Sequence, residues 1–375
     1  MKKNDNFLYF NIFNFISTFV RALIEIFISL YLFKNGFSIK SVILFYFLAN
    51  LFAIPIAYIY ASIGEKTKYS YIMAVGYISF IILQLLLRNI VLSDLYILLI
   101  AIIYSLYRRG YWISRRFYIS HIIPKRKSSF IYSIIMVSIQ VAKILSGYIG
   151  SYLLSSADIS TLIVISVILL SLSLIPLSKI KYENKPVKIE LRKNLKKYRI
   201  DSLLAFSFFE LDDLLSYLFP IYIALYVNNS YQLAGNLNAI SNVAIIIFIL
   251  IYGKIINNKK NYLILSTVLV LVCVFFKLSI NSYLIVIVYF IEGLVLKMQN
   301  QSNNKIYFEN NNGMDITHYS LLYQIIECLM RAVVSFLLLF IFDVRLMIVF
   351  VCLIILVLLV LYVIVTKKLI RYRLK

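Results

Sequence analysis

The chain has 375 residues, of which 62% are hydrophobic and only 14% carry a charge. Soluble domains carry roughly 25% charged residues, so this composition excludes a water-soluble fold and indicates a protein embedded in a membrane. The formal net charge of +22 would suggest nucleic-acid binding in a soluble protein, but in a membrane protein it follows from topology. We therefore expect no nucleic-acid partner.

Apolar runs long enough to cross the hydrocarbon layer recur along the whole chain. About 20 apolar residues in a helix span a bilayer core, and the helix satisfies its own backbone polar groups. The runs predict an all-α membrane protein with twelve transmembrane helices. In chain order, the predicted helices 1 to 12 cover residues 7–33, 41–63, 70–88, 95–121, 129–155, 157–178, 203–227, 233–253, 261–278, 282–303, 314–341 and 344–366.

Lysine and arginine are unevenly distributed between the two ends of these helices. Of the 38 such residues, 25 lie at the termini and in the alternate loops on the same side. Five lie at the opposite end: Lys34, Lys40, Arg88, Lys277 and Arg345. Because cytoplasmic loops are enriched in basic residues, both termini are predicted to be cytoplasmic, with the basic loops against membrane lipids.

The longest loop divides the chain into six helices and six helices. We predict an N-terminal six-helix bundle at 1–178, a cytoplasmic basic linker at 179–202 and a C-terminal six-helix bundle at 203–375. The linker is either a solvated basic segment or a short amphipathic helix on the membrane surface. The abundance of Ile, Lys, Asn and Tyr indicates a genome rich in A and T. We expect a monomeric, multi-pass protein of a bacterial cytoplasmic membrane.

Ionisable residues inside the predicted helices follow a period of three helices. Such residues cost several kcal/mol in lipid unless they face the protein interior or water. They are Arg21 and Glu25 in helix 1; Arg108, Arg109, Arg115 and Arg116 in helix 4; Lys143 in helix 5; Glu210, Asp212 and Asp213 in helix 7; Glu292 and Lys297 in helix 10; and Glu327 and Arg331 in helix 11. Helices 3, 6, 9 and 12 have none within the span. The period predicts two pseudo-symmetric bundles whose third members face lipid.

Short motifs accompany this pattern. The loop after helix 2 reads ASIGEKTK and contains Glu65, Lys66 and Lys68, and the loop after helix 8 reads GKIINNKK. Helix 5 contains SGYIGS, and helix 4 contains the pair Arg108 and Arg109. Together with the triplet pattern, these residues resemble the major facilitator superfamily. The signature of that family has a glycine in place of Ala61 and an acid in place of Asn257.

The resemblance implies a fold and roles for several residues. Helices 1, 4, 7 and 10 would line a central cavity, helices 2, 5, 8 and 11 would flank it, and the remainder would lie outside. Glu65, Lys66 and Lys68 would form a cytoplasmic gating loop, and Arg108 or Arg109 would occupy the position of an arginine linked to proton coupling. SGYIGS resembles the glycine-rich signature of exporters, although without its proline.

The spacing of the charges indicates which of them share a helix face. Arg21 with Glu25 and Glu327 with Arg331 are four residues apart, so each pair can neutralise itself. These are either buried ion pairs that specify packing or, for Glu25, a carboxylate that loads and releases a proton. Our proton-coupling candidates are Glu25 and three residues of helix 7, where two of the three share a face. The helix 7 candidates are Glu210, Asp212 and Asp213.

The halves differ in the sign of their intramembrane charge. The first six helices are mainly basic within the spans, and the last six are mainly acidic. Either ion pairs between the halves break and reform during transport, or one wall binds an anion and the other a cation, which suits a zwitterionic solute. The residues assigned to the cavity, substrate or gating are Arg21, Arg108, Arg109, Lys143, Glu292, Lys297, Glu327, Arg331, Tyr107, Tyr111 and Trp112.

Helix geometry sharpens the expectations for helix 4. Adjacent residues point about 100° apart, so only one of Arg108 and Arg109 is expected to face the cavity. Tyr107, Tyr111 and Trp112 surround them and could stack a substrate. Arg115 and Arg116, near the helix end, are expected to extend to lipid phosphates.

These features together predict a secondary active transporter that moves a small solute by alternating access, coupled to protons and acting as an exporter. The alternatives are a sensor or immunity protein on a transporter fold, and an uptake permease for a zwitterionic solute. We expect no enzyme, since no His-Glu-x-x-His or Gly-x-Ser-x-Gly arrangement is present. We expect neither a metal nor a cofactor other than the proton gradient, because the cysteines stand singly in apolar runs.

Overall fold

The computed structural model describes the backbone of residues 3–122, 128–156, 159–180, 200–227, 230–252, 261–279, 284–309 and 316–373. Every regular element in these ranges is a helix. Most of the predicted linker, 181–199, lies outside the described residues, and the domain boundaries at 179–202 therefore stay a prediction.

The described residues form twelve long helices, numbered here as in the sequence. They are α1 (Lys3–Glu25, continued after a break as Ile28–Lys34), α2 (Ile39–Gly64), α3 (Tyr69–Arg88), α4 (Asp94–Ile122), α5 (Ser128–Ser156), α6 (Ile159–Lys179), α7 (Ile200–Tyr226), α8 (Tyr231–Tyr252), α9 (Asn261–Ser279), α10 (Leu284–Glu309), α11 (Ile316–Leu338) and α12 (Val344–Arg373). Most ends lie within a few residues of the predicted ones. The helices α10 and α12 continue past the predicted ends because hydropathy detects only the apolar part of a helix.

Ten of these helices are long and apolar enough to cross a membrane by length and composition. The other two, α4 and α7, are the helices in which the sequence places half of the intramembrane charges. Their charged side chains lower the mean hydropathy without shortening the helix. Composition alone therefore misses the two helices with several charged residues in their spans.

Local capping explains where some helices begin. Asp343 precedes α12 and accepts hydrogen bonds from the backbone amides of Arg345 at 2.6 Å and Leu346 at 3.3 Å, as expected of an N-cap residue. Burial alone would raise the pKa of Asp343, but hydrogen bonds from the Tyr226 hydroxyl and these two amides lower it. The turn before α2 contains Gly36, whose φ of 95° is readily adopted only by glycine.

The helices pack in two groups of six with the same pattern of neighbours. In the first group α1 packs on α5 and α6, α2 on α4, and α3 on α4 and α6. In the second group α7 packs on α11 and α12, α8 on α10, and α9 on α10 and α12. The groups meet mainly where α5 packs on α8 and α2 on α11.

The main neighbours of α3, α6, α9 and α12 lie within their own group. Their outer surfaces are apolar, as a lipid-facing helix requires. On α6, for example, Val164, Ile168, Leu172 and Ile175 form an exposed stripe at helical spacing. These helices are the ones whose spans the sequence analysis found free of charge.

Small residues allow α5 and α8 to cross closely. A Cβ atom on Gly235 would lie 2.5 Å from the carbonyl oxygen of Gly147, and one on Gly147 would lie 2.9 Å from that of Gly235. Gly150, on another face of α5, packs against Leu23 and Phe27 of α1. The glycines of SGYIGS therefore have a packing role.

We expect Gly235→Ala to lower the apparent melting temperature by several degrees, since the added methyl group overpacks the crossing by about 1–3 kcal/mol. The melting temperature is measured on the purified protein in detergent, by gel filtration of samples heated to a series of temperatures. Gln232→Ala, at an exposed position of the same helix, should melt like the unmodified protein. Equal melting of the two variants would contradict the close crossing.

Candidate functional site

A cavity of about 580 Å³ lies between the two groups of helices. Small-molecule pockets commonly measure roughly 300–1,000 Å³, so the cavity has room for a solute. Its wall is formed by residues of α1, α2, α4 and α5 from the first group and of α7 to α11 from the second. The charged residues that line it are Arg21, Glu25, Arg108, Arg115, Arg116, Lys143, Glu210, Asp212, Asp213, Lys277, Glu292, Glu327 and Arg331.

Glu327 of α11 is the centre of an ion-pair network. Arg109 Nη2 lies 3.4 Å from its carboxylate, and Arg116 Nη2 lies 3.5 Å from it; both arginines belong to α4. Arg331, one turn along α11, approaches the same carboxylate to 2.9 Å. Arg109 is only 1% exposed and also donates to Gln324 at 3.3 Å. The network thus links the first group of helices to the second through buried charges.

Arg331 also joins α11 to α7. Its guanidinium is paired with Glu210 and with Asp213, and its Nε donates to the backbone oxygen of Glu210 at 3.2 Å. The Tyr323 hydroxyl donates to Glu210 as well. Glu210 and Asp213 share a face, as their spacing predicts, and the arginine between them compensates both carboxylates.

A second set of polar contacts joins α4 to α7. Arg108 Nη1 donates to the Tyr217 hydroxyl at 2.7 Å, and its Nη2 lies 3.7 Å from Asp213. The Tyr217 ring stacks on Tyr46 of α2 with centroids 4.0 Å apart. Arg108 lines the cavity, whereas Arg109 points towards α11. The two side chains diverge as the helix geometry predicts.

The pair Arg21 and Glu25 lies within the first group. Their charged atoms are 3.9 Å apart, and the Tyr107 hydroxyl donates to Glu25 at 2.7 Å. The guanidinium of Arg21 lies 3.8 Å from the ring centre of Tyr111 and 5.4 Å from that of Trp112. The aromatic residues predicted to stack a substrate therefore contact this ion pair.

The expectation that Arg115 and Arg116 extend to lipid phosphates is wrong. Arg115 is 8% exposed and its Nε donates to Asn14 of α1 at 3.2 Å. Arg116 pairs with Glu327 and lies 4.2 Å above the Tyr323 ring. Position along a helix gives depth in the membrane, but the partners that turn these side chains inward lie on distant helices.

Lys277 is a charged cavity residue that the count of intramembrane charges missed. Its position near the predicted end of helix 9 assigns it to a loop, but in the structure it is 2% exposed in the last turn of α9. It pairs with Glu292 of α10 and lies 3.6 Å from the ring centre of Tyr289 and 4.3 Å from that of Phe219. A lipid-facing helix thus contributes one charge to the site.

Of the ionisable residues inside the predicted helices, four have no ion pair among the residues that the structure describes: Arg115, which donates to Asn14, and Lys143, Asp212 and Lys297. Both carboxylate oxygens of Asp212 are buried and have no hydrogen-bond partner there, although Gln299 approaches them. Lys143 lines the cavity, and Lys297 is buried on α10 between the lining residues Leu296 and Asn300.

The turn between α2 and α3 lies apart from the cavity. Glu65, Lys66 and Lys68 are not among the residues that line it, and Lys66 and Lys68 are exposed. Their role as a gating loop stays a prediction. The corresponding loop after α8, residues 253–260, and the side chains of both histidines lie outside the described residues.

No protein-family model matches the sequence, and no curated protein matches it. The structure, in contrast, is similar to a crystal structure of the nucleoside transporter NupG, with a TM-score of 0.71 over 96% of this chain and 99% of that chain. The sequence identity is 14%. NupG is a major facilitator superfamily transporter. The likeness shows the fold: the chain is an all-helical membrane protein with the major facilitator architecture.

Proposed function

We propose that this protein is a secondary transporter that moves a small solute across the membrane by alternating access. The observation that carries the proposal is the set of ion pairs that cross from α4 to α7 and α11 beside the cavity. In alternating access, the two groups of helices separate on one side and close on the other. Contacts between them must therefore break and reform, and charged groups regain water when they part.

The network is arranged so that the crossing pairs can break at low cost. When α4 moves away, Glu327 remains paired with Arg331, which lies on the same helix. Asp213 likewise remains paired with Arg331 when Arg108 moves away with α4. Separation therefore leaves neither acid as an uncompensated buried charge, which would cost about 3–5 kcal/mol.

Contacts at the helix ends opposite the termini support a closed gate there. Lys34, at the end of α1, lies 4.0 Å from the ring centre of Tyr231 at the start of α8. Lys40, at the start of α2, lies 3.7 Å from the ring centre of Phe342. With the termini cytoplasmic, as the distribution of basic loops predicts, this gate faces the outside.

Asp212 is our first choice for the proton-coupling residue. Glu25, Glu210 and Asp213 each have an arginine partner, whereas the buried carboxylate of Asp212 has no cation partner among the described residues and is approached only by the neutral Gln299. An uncompensated carboxylate in a low-dielectric interior is accommodated by taking up a proton. Proton uptake and release at Asp212 would couple the proton gradient to the movement of α7.

The direction that we propose is export. It rests on the likeness of SGYIGS to an exporter signature, but the packing of its glycines accounts for them without reference to direction. The direction is therefore best read from the vesicle experiment that tests the function.

The purified chain, reconstituted in liposomes with an imposed pH gradient, should move at least one solute from a panel of organic acids, amino acids, nucleosides and nucleotides. Dissipating the gradient with an ionophore should abolish accumulation. Reversing the gradient distinguishes export from uptake. If no solute moves and a bound protein copurifies instead, a sensor or immunity function replaces transport.

A further inference from the structure

Two buried arginines on the cavity wall have hydrogen-bond donors without acceptors. Arg21 of α1 is 6% exposed and Arg115 of α4 is 8% exposed, and both line the cavity. Among the described residues, Arg21 donates no hydrogen bond, because its Nη1 lies 3.9 Å from the carboxylate of Glu25 and its buried Nε has no partner. Arg115 donates only from Nε, to Asn14. Buried donors are normally satisfied, so these guanidinium groups call for an acceptor.

The two arginines meet at one aromatic side chain. The guanidinium carbon of Arg21 lies 5.4 Å from the ring centre of Trp112, and that of Arg115 lies 5.1 Å from it. Tyr111 completes the cluster, since its ring centre lies 3.8 Å from the guanidinium carbon of Arg21. Its hydroxyl donates at 3.3 Å to Asn14, which is also the acceptor of Arg115. These contacts hold both cations beside Trp112, which is half-buried and also lines the cavity.

The charges around the Trp112 ring are not balanced. A third arginine, Arg116, lies 5.9 Å from the ring centre, but it is paired with Glu327. Arg21 has Glu25 as an ion-pair partner, whereas Arg115 has no acid partner among the described residues. Water could accept hydrogen bonds from these donors but carries no counter-charge. A bound anion supplies both, and burying a cation is costly unless it is paired.

The cavity has room for more than an oxyanion at this position. Its volume of about 580 Å³ far exceeds that of a carboxylate or phosphate group. The helix α5 packs against α1 and contributes Met136, Ile139 and Gln140 to the cavity wall. With the Trp112 ring, the first two give this part of the wall an apolar surface, and Gln140 adds an amide. A mainly apolar wall with a few polar groups favours an organic anion over an inorganic one.

We propose that the cavity binds an organic anion whose carboxylate or phosphate oxygens accept hydrogen bonds from Arg21 and Arg115 beside Trp112. This inference rests on the proposed transport function and names its substrate class. A guanidinium group presents N–H donors in a planar fork that matches the oxygens of either group, and such charge-assisted hydrogen bonds are strong. A neutral solute would leave Arg115 without a counter-charge.

The chain has a reporter inside this site. Trp112 is its single tryptophan. The full-length protein in detergent would be titrated with matched pairs: aromatic carboxylates with their amides, and sugar phosphates with the parent sugars. We expect a saturable change in Trp112 fluorescence with the charged member of at least one pair, and at least tenfold weaker binding of its neutral analogue. The pair that responds distinguishes carboxylate from phosphate.

Substitution of either arginine then tests the site. Arg21→Gln and Arg115→Gln should each weaken binding of the responding anion at least tenfold, as expected for loss of a charge-assisted hydrogen bond. Both changes alter the surroundings of Trp112, so these affinities are measured by calorimetry. Arg21→Lys and Arg115→Lys retain the charge and should bind more tightly than the Gln variants.

Arg88→Gln is the control, because it removes an exposed charge at the end of α3. It should bind the anion like the unmodified protein. If a Gln variant of Arg21 or Arg115 melts at a lower temperature, the Met variant, which preserves the aliphatic stem, takes its place.

Equal affinity for the charged and neutral members of every pair, no saturable change across the panel, or unchanged affinity in both Gln variants would overturn the proposal. Its failure is distinguishable from that of the transport function. A neutral solute transported independently of Arg21 and Arg115 leaves transport standing and removes the anion site. Anion binding that depends on the two arginines, without movement in vesicles, supports the site and removes transport.

Discussion

Glu327→Gln is expected to reduce the initial rate of solute transport at least a hundredfold. The substitution removes the acid that pairs with Arg109 and Arg116. Breaking a buried ion pair by removing one partner costs about 3–5 kcal/mol, and each 1.4 kcal/mol corresponds to about a factor of ten. The loss destabilises the closed arrangement of α4 and α11 relative to the open one. Flux in liposomes containing equal amounts of folded protein measures the effect.

A second substitution separates the loss of pairing from the loss of the carboxylate itself. In the double variant Glu327→Gln with Arg109→Gln, one uncompensated cation is removed, so part of the transport rate should return. Asp94→Asn, at an exposed position in the first turn of α4, is the matched control and should transport normally. Normal transport by Glu327→Gln would exclude this network from the gating mechanism.

Asp212→Asn is expected to abolish accumulation of solute against its gradient while exchange of solute across the membrane continues. The asparagine is nearly isosteric but cannot bind and release a proton. The carrier would then catalyse equilibration without drawing on the pH gradient. Measurement of accumulation and of counterflow in the same liposomes distinguishes the two activities.

Glu25→Gln provides the comparison for this variant. Glu25 already has Arg21 and Tyr107 as partners, so we expect its substitution to lower the rate but to leave accumulation coupled to the pH gradient. If Glu25→Gln uncouples transport and Asp212→Asn does not, the coupling site moves from α7 to α1.

The sequence was sufficient to predict the helices and their lipid-facing members. Lipid forces each crossing segment to satisfy its own backbone, so segment length and apolar content are enough to find it. It also excludes charges from lipid-facing surfaces, so α3, α6 and α12, whose spans carry no charge, and α9, whose Lys277 lies in its last turn and points inward, have apolar outer surfaces. Pairs within one helix, such as Glu327 with Arg331, were predictable because their spacing alone places them on one face.

Only the tertiary structure decided which charges meet between helices. Arg116 and Lys277 were misplaced from the sequence because the acids that hold them, Glu327 and Glu292, lie on other helices. The sequence left ion pairs between the halves and a site for a charged solute as alternatives, and the structure contains pairs that cross between the halves. Four intramembrane charges, Arg115, Lys143, Asp212 and Lys297, have no ion pair among the residues that it describes. The sequence thus determined the fold and the polar interior, since both follow from lipid as solvent. The partner of each charge depends on helix rotation and packing, which no single segment encodes.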